Sequence, residues 1–294
     1  MAALTRPNLF AFTELLKPIT WFPPMWAFAC GVVASGVPIA EQMELVVWGI
    51  VLAGPMVCAT SQAVNDWFDR HVDAINEPNR PIPSGRIPGR WGLYIAIVWT
   101  GLSLLVATQL GPWGFLAALL GLLLAWAYSM PPIRLKQNGW FGNLACGISY
   151  EGLAWITGAA VMAGGALPDA RSIALALLYS VGAHGIMTLN DFKSIAGDRR
   201  MAIRSLPVQL GAGNAAKTAC WIMALPQLVV VALLWNWGAP FYALAVAGLI
   251  VGQLFLMRYF IAAPIDRALF YSGFGVPLFV SGMMVSAFAL RSLH

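Results

Sequence analysis

The sequence predicts an all-α integral membrane protein, with nine transmembrane helices in a single bundle. Hydrophobic residues make up 60% of the 294 residues, charged residues only 10%, and the mean hydropathy is +0.74. Soluble domains carry about 25% charged residues, so this composition excludes an ordinary soluble protein. Helices are expected because lipid offers the backbone no hydrogen-bond partners, and a helix satisfies its own polar groups.

Nine apolar stretches approach the length of about 20 residues that a helical span requires. They are followed by polar or basic connections, and we expect them to form one polytopic domain over residues 1–294. The predicted spans are 19–37, 45–64, 92–110, 113–130, 142–162, 173–189, 218–235, 241–257 and 268–290. The count depends most on the third and fourth spans, which only a short turn at Gly111-Pro112 separates.

Basic residues are distributed unequally between the two sides of the predicted bundle. Of the 17 lysines and arginines, Arg171 and Arg291 fall on one side, and the other fifteen fall with the N-terminus and the even-numbered connections. Positive charge accumulates on the cytoplasmic side of membrane proteins. The N-terminus is therefore predicted to be cytoplasmic and the C-terminus periplasmic, and the net charge of +5 requires no nucleic acid partner.

Three aspartates lie at spacing i, i+3, i+7 where the second span ends: Asp66, Asp69 and Asp73. On a helix these side chains stack along one face. Like charges so placed repel by roughly 0.2–0.5 kcal/mol per pair. A divalent cation that binds a negatively charged ligand there would turn the repulsion into attraction, so the pattern indicates a metal site.

A related motif closes the sixth span. Segments 65–73 and 190–198 both read Asn-Asp-x6-Asp, and a basic turn follows each, which indicates a weak internal duplication. The copies differ, because Ser194 stands where the first copy has Asp69, and Lys193 adds positive charge. We interpret the first copy as mainly metal-binding, and the second as partly metal-binding and partly a cationic clamp.

The donor atoms favour Mg²⁺ over zinc, because they are carboxylate and amide oxygens without a Cys/His cluster. The candidate metal ligands are Asn65, Asp66, Asp69, Asp73, Asp191 and Asp198. Mg²⁺ is commonly held by one or two carboxylates plus substrate phosphates, and Arg and Lys suit phosphate oxygens. The candidate diphosphate contacts are Arg80, Arg134, Lys136, Lys193 and Arg199. Within these sets the predicted catalytic residues are Asp66, Asp69, Arg134 and Lys193. For Arg134 and Lys136, ordinary cytoplasmic positive charge is the alternative.

These residues resemble a known family. The motif Asn-Asp-x-x-Asp-x-x-x-Asp after a second span, a related acidic motif after a sixth, and nine spans resemble the UbiA superfamily of intramembrane prenyltransferases over nearly the whole chain. Segments 65–85 and 190–199 look like its chlorophyll/bacteriochlorophyll synthase branch, and Trp67-Phe68 with segment 86–90 look more like the bacteriochlorophyll members.

The resemblance implies an enzyme that uses Mg²⁺ to esterify (bacterio)chlorophyllide with geranylgeranyl or phytyl diphosphate. It implies a bacterial inner membrane location with the active site toward the cytoplasm, and it admits other pigment-biosynthesis or assembly membrane proteins as partners. Many members carry acids at the positions of Ser194 and Ala196. Their absence here weakens a symmetrical two-metal arrangement and puts Ser194 in doubt as a ligand.

The acceptor chemistry agrees with the residues present. A propionate has a reference pKa of about 4.3, like Glu, so it is an anion at neutral pH and needs no general base. No His–carboxylate pair is evident near the motifs. This favours esterification modestly, since prenylation of an aromatic ring can lose its proton after the bond forms.

Two polar residues within predicted spans are candidate tetrapyrrole contacts. Glu151 lies in the fifth span, where an acid is a functional candidate by default. A structural hydrogen bond to a neighbouring helix is the alternative. His184 lies in the sixth span about two turns before Asp191 and could bind the central metal of a chlorin. A packed, neutral histidine is the alternative.

Other functions stay open on the sequence alone. The acceptor could be a quinone precursor or haem. A transporter would also have many spans, but its site would lie near the bilayer midplane on broken helices, whereas these acids cluster at cytoplasmic helix ends. A pigment-assembly scaffold without catalysis gives no reason for two matched aspartate motifs beside Lys and Arg.

Overall fold

Helices make up nearly all of the computed structural model, which describes residues 8–294. The described residues form no β-strand. The helices are α1 Leu9–Leu16, α2 Phe22–Ala34, α3 Ile39–Asn76, α4 Trp91–Ala107, α5 Gly111–Ser129, α6 Gly139–Met162, α7 Ala170–Asp191, α8 Ile195–Arg200, α9 Leu206–Leu210, α10 Ala212–Asn236, α11 Pro240–Ala262 and α12 Pro264–Arg291. The all-α class predicted from composition is confirmed.

Seven helical stretches between residues 8 and 294 are long and apolar enough to cross a membrane, with α4 and α5 taken as one stretch, Trp91–Ser129. Helix α2 is apolar but has only 13 residues. The chain is thus a multi-pass membrane protein. The count of nine spans and the side of each terminus stay predictions, and Arg6, which contributes to the charge asymmetry, lies outside the described residues.

The chain reverses direction between α4 and α5. Gly111 has φ 72° and ψ −171°, which is not a helical conformation and is open to glycine at no steric cost. The indole Nε1 of Trp126 donates to Thr100 Oγ1 at 3.1 Å. In one continuous helix, residues 26 apart would be separated by about 39 Å. The two helices therefore pack side by side, with the reversal where the sequence predicts a short turn.

Two of the helices contain a π-helical stretch. In α3 it covers Leu52–Cys58 and includes Pro55, which cannot donate a backbone hydrogen bond. The indole of Trp99 in α4 donates to the Pro55 carbonyl at 2.8 Å, so a neighbouring helix supplies a hydrogen-bond donor to a carbonyl of the widened turn. In α6 the stretch covers Ile148–Leu153. Such wide turns inside helices are rare and recur at functional sites.

Buried polar pairs join the C-terminal helices. Gln227 of α10 and Gln253 of α11 exchange two side-chain hydrogen bonds of 3.0 and 2.9 Å, and both are buried. Tyr179 of α7 bonds Ser286 of α12 at 2.8 Å. Hydrogen bonds between helices help to hold a membrane bundle, where apolar surface alone gives little preference for protein over lipid.

Helices α2 and α6 pack in backbone contact through two glycines. A Cβ at Gly31 would overlap the Trp155 carbonyl, and a Cβ at Gly158 would overlap the Phe28 carbonyl. Small residues permit such close approach in membrane bundles. This contact fixes the distance between α2 and α6, both of which border the cavity described below.

We expect Gly158→Ala to destabilise the protein by about 1–3 kcal/mol, because a backbone carbonyl cannot move aside as a flexible side chain can. Thermal unfolding in detergent would measure the loss. The matched control is Gly248→Ala on α11, where an added Cβ meets nothing within 4 Å. Equal stability of the two variants would contradict the close packing.

Candidate active site

The first acidic motif lies on the last turns of α3, which continues as a helix from Ala59 to Asn76. The expectation of three aspartates on one helical face is met, since Asp66, Asp69 and Asp73 are 1%, 6% and 6% exposed. Buried carboxylates are costly unless they are paired. Each of the three has a cationic partner that comes from another part of the chain.

Asp66 and Asp73 share Arg80. The Arg80 guanidinium lies 3.3 Å from Asp66 Oδ1 and 2.8 Å from Asp73 Oδ2, and its Nε donates to Glu77 at 2.8 Å. Lys17, in the turn between α1 and α2, also contacts Asp66 Oδ1 at 2.6 Å. The loop after α3 and the entry to α2 are thus both held against the motif by charge.

The cationic partners of Asp69 come from the loop after α5. Arg134 donates to its Oδ1 at 3.3 Å, and Lys136 forms an ion pair with Oδ2. Asn65, one turn before, donates to Asp69 Oδ2 at 2.9 Å and to Ser129 at 3.3 Å. The segment that the sequence singled out after the fourth predicted span therefore reaches the first motif.

The second motif has a different local structure from the first. Asp191 is the last residue of α7, a turn follows, and Asp198 lies buried on the separate short helix α8. Asp191 Oδ2 accepts from Asn143 of α6 at 3.1 Å. The prediction of one acidic helix end per copy therefore holds for the first motif, whereas the second is divided between two helices.

The two motifs meet at one end of the helical bundle, around Glu77 and Lys193, which is called the mouth below. Lys193 Nζ lies 3.4 Å from Glu77 Oε1. Gly197 packs directly on the Asn76 side chain, which leaves no room for a Cβ. Burial raises the pKa of Glu77, but the hydrogen bonds and charges of Arg80 and Lys193 outweigh it and hold that pKa below its ordinary value.

The charge of Lys136 interacts with the carboxylates of both motifs. Burial lowers the pKa of Lys136 to about 8, although the carboxylates of Asp198 and Asp66 act to raise it. Burial also raises the pKa of Asp198 above its ordinary value, against the opposing effects of Ser205 and Lys136. One lysine thus contacts the first motif directly and acts on the second through its charge.

A cavity of about 1130 Å³ extends from this mouth between the helices. Its polar end is lined by Lys17, Asn65, Arg80, Asn190 and Lys193. Its interior is largely apolar, and both π-helical stretches contribute to its wall. Pockets for small ligands measure about 300–1,000 Å³, so this one exceeds the upper end of that range.

Some predicted residues lie elsewhere. Arg199 is exposed on α8, and the structure gives it no ion pair within the described residues, so its proposed phosphate contact stays a prediction. His184 borders a separate small pocket with Trp140, whose ring centroid is 5.6 Å away. Glu151 lines the large cavity, 4% exposed. Ser194 is half-buried in the turn before α8.

Several site residues were not predicted as such. From the sequence, Lys17 contributes only to the predicted cytoplasmic charge, and neither Asn143 nor Tyr150 is predicted as a site residue. The phenol of Tyr150 bonds Ser61 at 3.0 Å and Gln62 at 3.2 Å on the cavity wall. A polar residue within an apolar span is a usable signal for Asn143 and Tyr150. Lys17 gave none beyond its position beside the first predicted span.

The donor set is compatible with Mg²⁺. Among residues 8–294 no three His, Cys, Asp or Glu side chains lie close enough to share an ion. Mg²⁺ does not require such a cluster, because one or two carboxylates plus substrate phosphates suffice. Asp66 Oδ2 is buried and has no hydrogen-bond partner within the described residues, so it is a carboxylate oxygen available for a cation.

Comparison with known proteins identifies related sequences and folds. Residues 10–283 match the model of the UbiA prenyltransferase family. The chain is 57% identical to the bacteriochlorophyll synthase 33 kDa chain of Cereibacter sphaeroides, over 98% of this chain and 95% of that protein. It is 41% identical to the chloroplastic chlorophyll synthase of Arabidopsis thaliana, over 94% of this chain and 73% of that protein.

The fold also has solved counterparts. The structure of a UbiA homolog from Archaeoglobus fulgidus bound to DMAPP and Mg²⁺ superposes with a TM-score of 0.69. It covers 96% of this chain and 99% of that one at 19% sequence identity, which establishes the shared fold.

We expect Lys17→Ala to destabilise the protein by about 1–3 kcal/mol, because Asp66 loses one of its two cations while staying buried. The double variant Lys17→Ala/Asp66→Asn should lose less than the two single losses added together, as interacting neighbours do. Thermal unfolding in detergent at neutral pH measures all three.

Lys217→Ala is the matched control, because Lys217 is an exposed lysine on α10 and away from the motifs. Additive losses in the double variant, or an equal loss in the control, would contradict the proposed role of the Lys17–Asp66 pair.

Proposed function

The chain belongs to the UbiA prenyltransferase family, and on that basis we propose that it is a bacteriochlorophyll synthase. It transfers a geranylgeranyl or phytyl group from its diphosphate to the propionate carboxylate of bacteriochlorophyllide and releases diphosphate. The observation that carries this conclusion is the 57% identity to a bacteriochlorophyll synthase chain over nearly the whole length of both. The ion-paired mouth above a large cavity supports the same reaction.

The reaction breaks the bond between prenyl C1 and the diphosphate oxygen, and forms a bond between C1 and a propionate oxygen. The diphosphate leaves with the bonding electron pair, so negative charge builds on it in the transition state. Arg80, Arg134, Lys136 and Lys193 surround the mouth. Cations aimed at developing charge are an effective source of rate enhancement.

Mg²⁺ is the proposed cofactor, held by carboxylates of Asp66, Asp69 and Asp73 with Asn65, and by Asp191 and Asp198 of the second motif. When bound, it would neutralise diphosphate oxygens. The unpartnered Asp66 Oδ2 supports this assignment. The protein's own cations would then exchange part of their contact with the aspartates for contact with diphosphate.

The acceptor requires no proton transfer, because a propionate is ionised at neutral pH. The residues must instead exclude water, which would otherwise capture the allylic cation. The apolar cavity wall serves this purpose, and the hydrocarbon tail fits the same surroundings.

We further propose that the protein crosses a bacterial inner membrane nine times, with its N-terminus and active site on the cytoplasmic side. The reversal at Gly111 supports counting α4 and α5 as two spans, and α2 with the preceding turn supplies a short first one. The prenyl diphosphate and bacteriochlorophyllide are the proposed substrates, and other pigment-biosynthesis membrane proteins are proposed partners.

Purified protein with bacteriochlorophyllide, labelled geranylgeranyl diphosphate and Mg²⁺ should form the prenyl ester. Asp66→Asn and Asp69→Asn should lower kcat/KM by at least about a hundredfold, since each removes a buried charge from the diphosphate site. Asp266→Asn, an exposed acid at the start of α12, is the control and should leave the rate unchanged. Full activity of both motif variants would refute the site.

The same assay separates the alternatives. Prenylation of 4-hydroxybenzoate or haem, with none of bacteriochlorophyllide, would replace the proposed acceptor with another. Absence of any product, combined with uptake of substrate into sealed vesicles, would indicate a transporter.

Topology has its own test. A C-terminal fusion to alkaline phosphatase should be active and a C-terminal fusion to green fluorescent protein dark, because both report a periplasmic end. The opposite result would contradict an odd number of spans with a cytoplasmic N-terminus.

A further inference from the structure

Glu151 is an acid in the wall of the large cavity, away from both aspartate motifs. It is 4% exposed, and its Oε2 has no hydrogen-bond partner within residues 8–294. No lysine, arginine or histidine of the described chain forms an ion pair with it. A buried polar group without a partner costs several kcal/mol in apolar surroundings. The alternative raised by the sequence was a structural hydrogen bond to a neighbouring helix. That alternative does not account for an Oε2 without a hydrogen-bond partner.

The neighbouring residue shows that this part of the wall can satisfy polar groups. Tyr150 bonds Ser61 and Gln62 of α3, at 3.0 and 3.2 Å. Both Tyr150 and Glu151 lie in the π-helical stretch Ile148–Leu153 and line the cavity. The fold thus supplies partners for the phenol and none for Glu151 Oε2. An acid without a protein partner that lines an open cavity is placed to form a hydrogen bond with a bound ligand.

The depth of Glu151 indicates which part of a substrate reaches it. Asn143, bonded to Asp191 at the mouth, precedes Glu151 by eight residues on α6. At a rise of 1.5 Å per residue, Glu151 lies about 12 Å deeper along the helix axis. A group bound there is therefore far from the diphosphate and the reacting carbon.

Resting on the proposed function, we infer that Glu151 recognises the ring of the tetrapyrrole acceptor, as an uncharged carboxylic acid that donates a hydrogen bond to a ring carbonyl oxygen. The prenyl tail is a hydrocarbon and offers no partner to a carboxyl group. A bacteriochlorophyllide ring carries carbonyl substituents as well as its propionate. A donor deep in the cavity would hold the ring by its carbonyl edge while the propionate extends toward the mouth.

The uncharged form follows from the surroundings. An ionised carboxylate without a cation or donors would be strongly disfavoured in an apolar cavity within a membrane. A protonated carboxyl has one O–H donor, which matches a carbonyl acceptor. Glu151 is therefore a specificity-determining residue for the acceptor and takes no part in breaking the diphosphate bond.

The test compares Glu151→Leu, which removes the donor, with Glu151→Gln, which keeps an N–H donor of similar size. We expect Glu151→Leu to raise KM for bacteriochlorophyllide about tenfold, as loss of one buried hydrogen bond would, and to leave KM for geranylgeranyl diphosphate within about twofold. Glu151→Gln should stay near wild type. In resonance Raman spectra, a ring carbonyl stretch should be lowered in complexes with wild type and Glu151→Gln only.

Glu44→Leu is the matched control, because it makes the same substitution at an exposed acid of α3 that does not line the cavity. It should leave both KM values unchanged. An unshifted carbonyl band in the wild-type complex, a larger effect of Glu151→Leu on the diphosphate KM, or an equal effect of Glu44→Leu would each overturn the inference. These outcomes leave the proposed function intact, which fails only if wild-type protein does not prenylate bacteriochlorophyllide.

Discussion

Compensation of buried carboxylates by cations is the interaction on which the rest of this structure depends. Three aspartates at the end of α3 are almost fully buried, and each would be prohibitively costly alone. Their partners come from the turn before α2, the loop after α3 and the loop after α5, and Lys193 joins through Glu77. Because the acids cannot stay buried without these partners, the same ion pairs that assemble the mouth also determine the positions of the loops around it.

The cavity below the mouth depends on irregularities in the helices. Regular helices with large side chains would fill the space between them, as in a packed core. Here α2 and α6 approach through Gly31 and Gly158, and the π-helical stretches in α3 and α6 both contribute to the cavity wall. Close backbone contact therefore lies next to an open cavity. This arrangement leaves room for a large, flat acceptor and a long tail within one bundle.

Composition and spacing were enough to predict the all-α membrane class and the first motif as one helical face, because these are local properties of the chain. The cationic partners of the acids were harder to predict from the sequence. Lys17 lies 49 residues from Asp66, and nothing in its neighbourhood indicates that contact. The division of the second motif between α7 and α8 was also missed, since the Asn-Asp-x6-Asp pattern is the same in both copies. The difference between the copies lies in tertiary packing. Gly197 packs on Asn76, and this contact positions α8 against the end of α3.

The charges at the mouth have a consequence for how the binding of one ligand affects the affinity for another. The acids are Asp66, Asp69, Asp73, Glu77, Asp191 and Asp198, six formal negative charges, and the cations are Lys17, Arg80, Arg134, Lys136 and Lys193, five positive ones. These formal charges nearly cancel, so this set of groups alone gives a free diphosphate little net attraction. On the proposed function, each divalent ion would favour the anion and each anion would favour the ion. Thermodynamic linkage makes that coupling reciprocal, so metal availability would regulate affinity for the prenyl donor as well as the rate of its transfer.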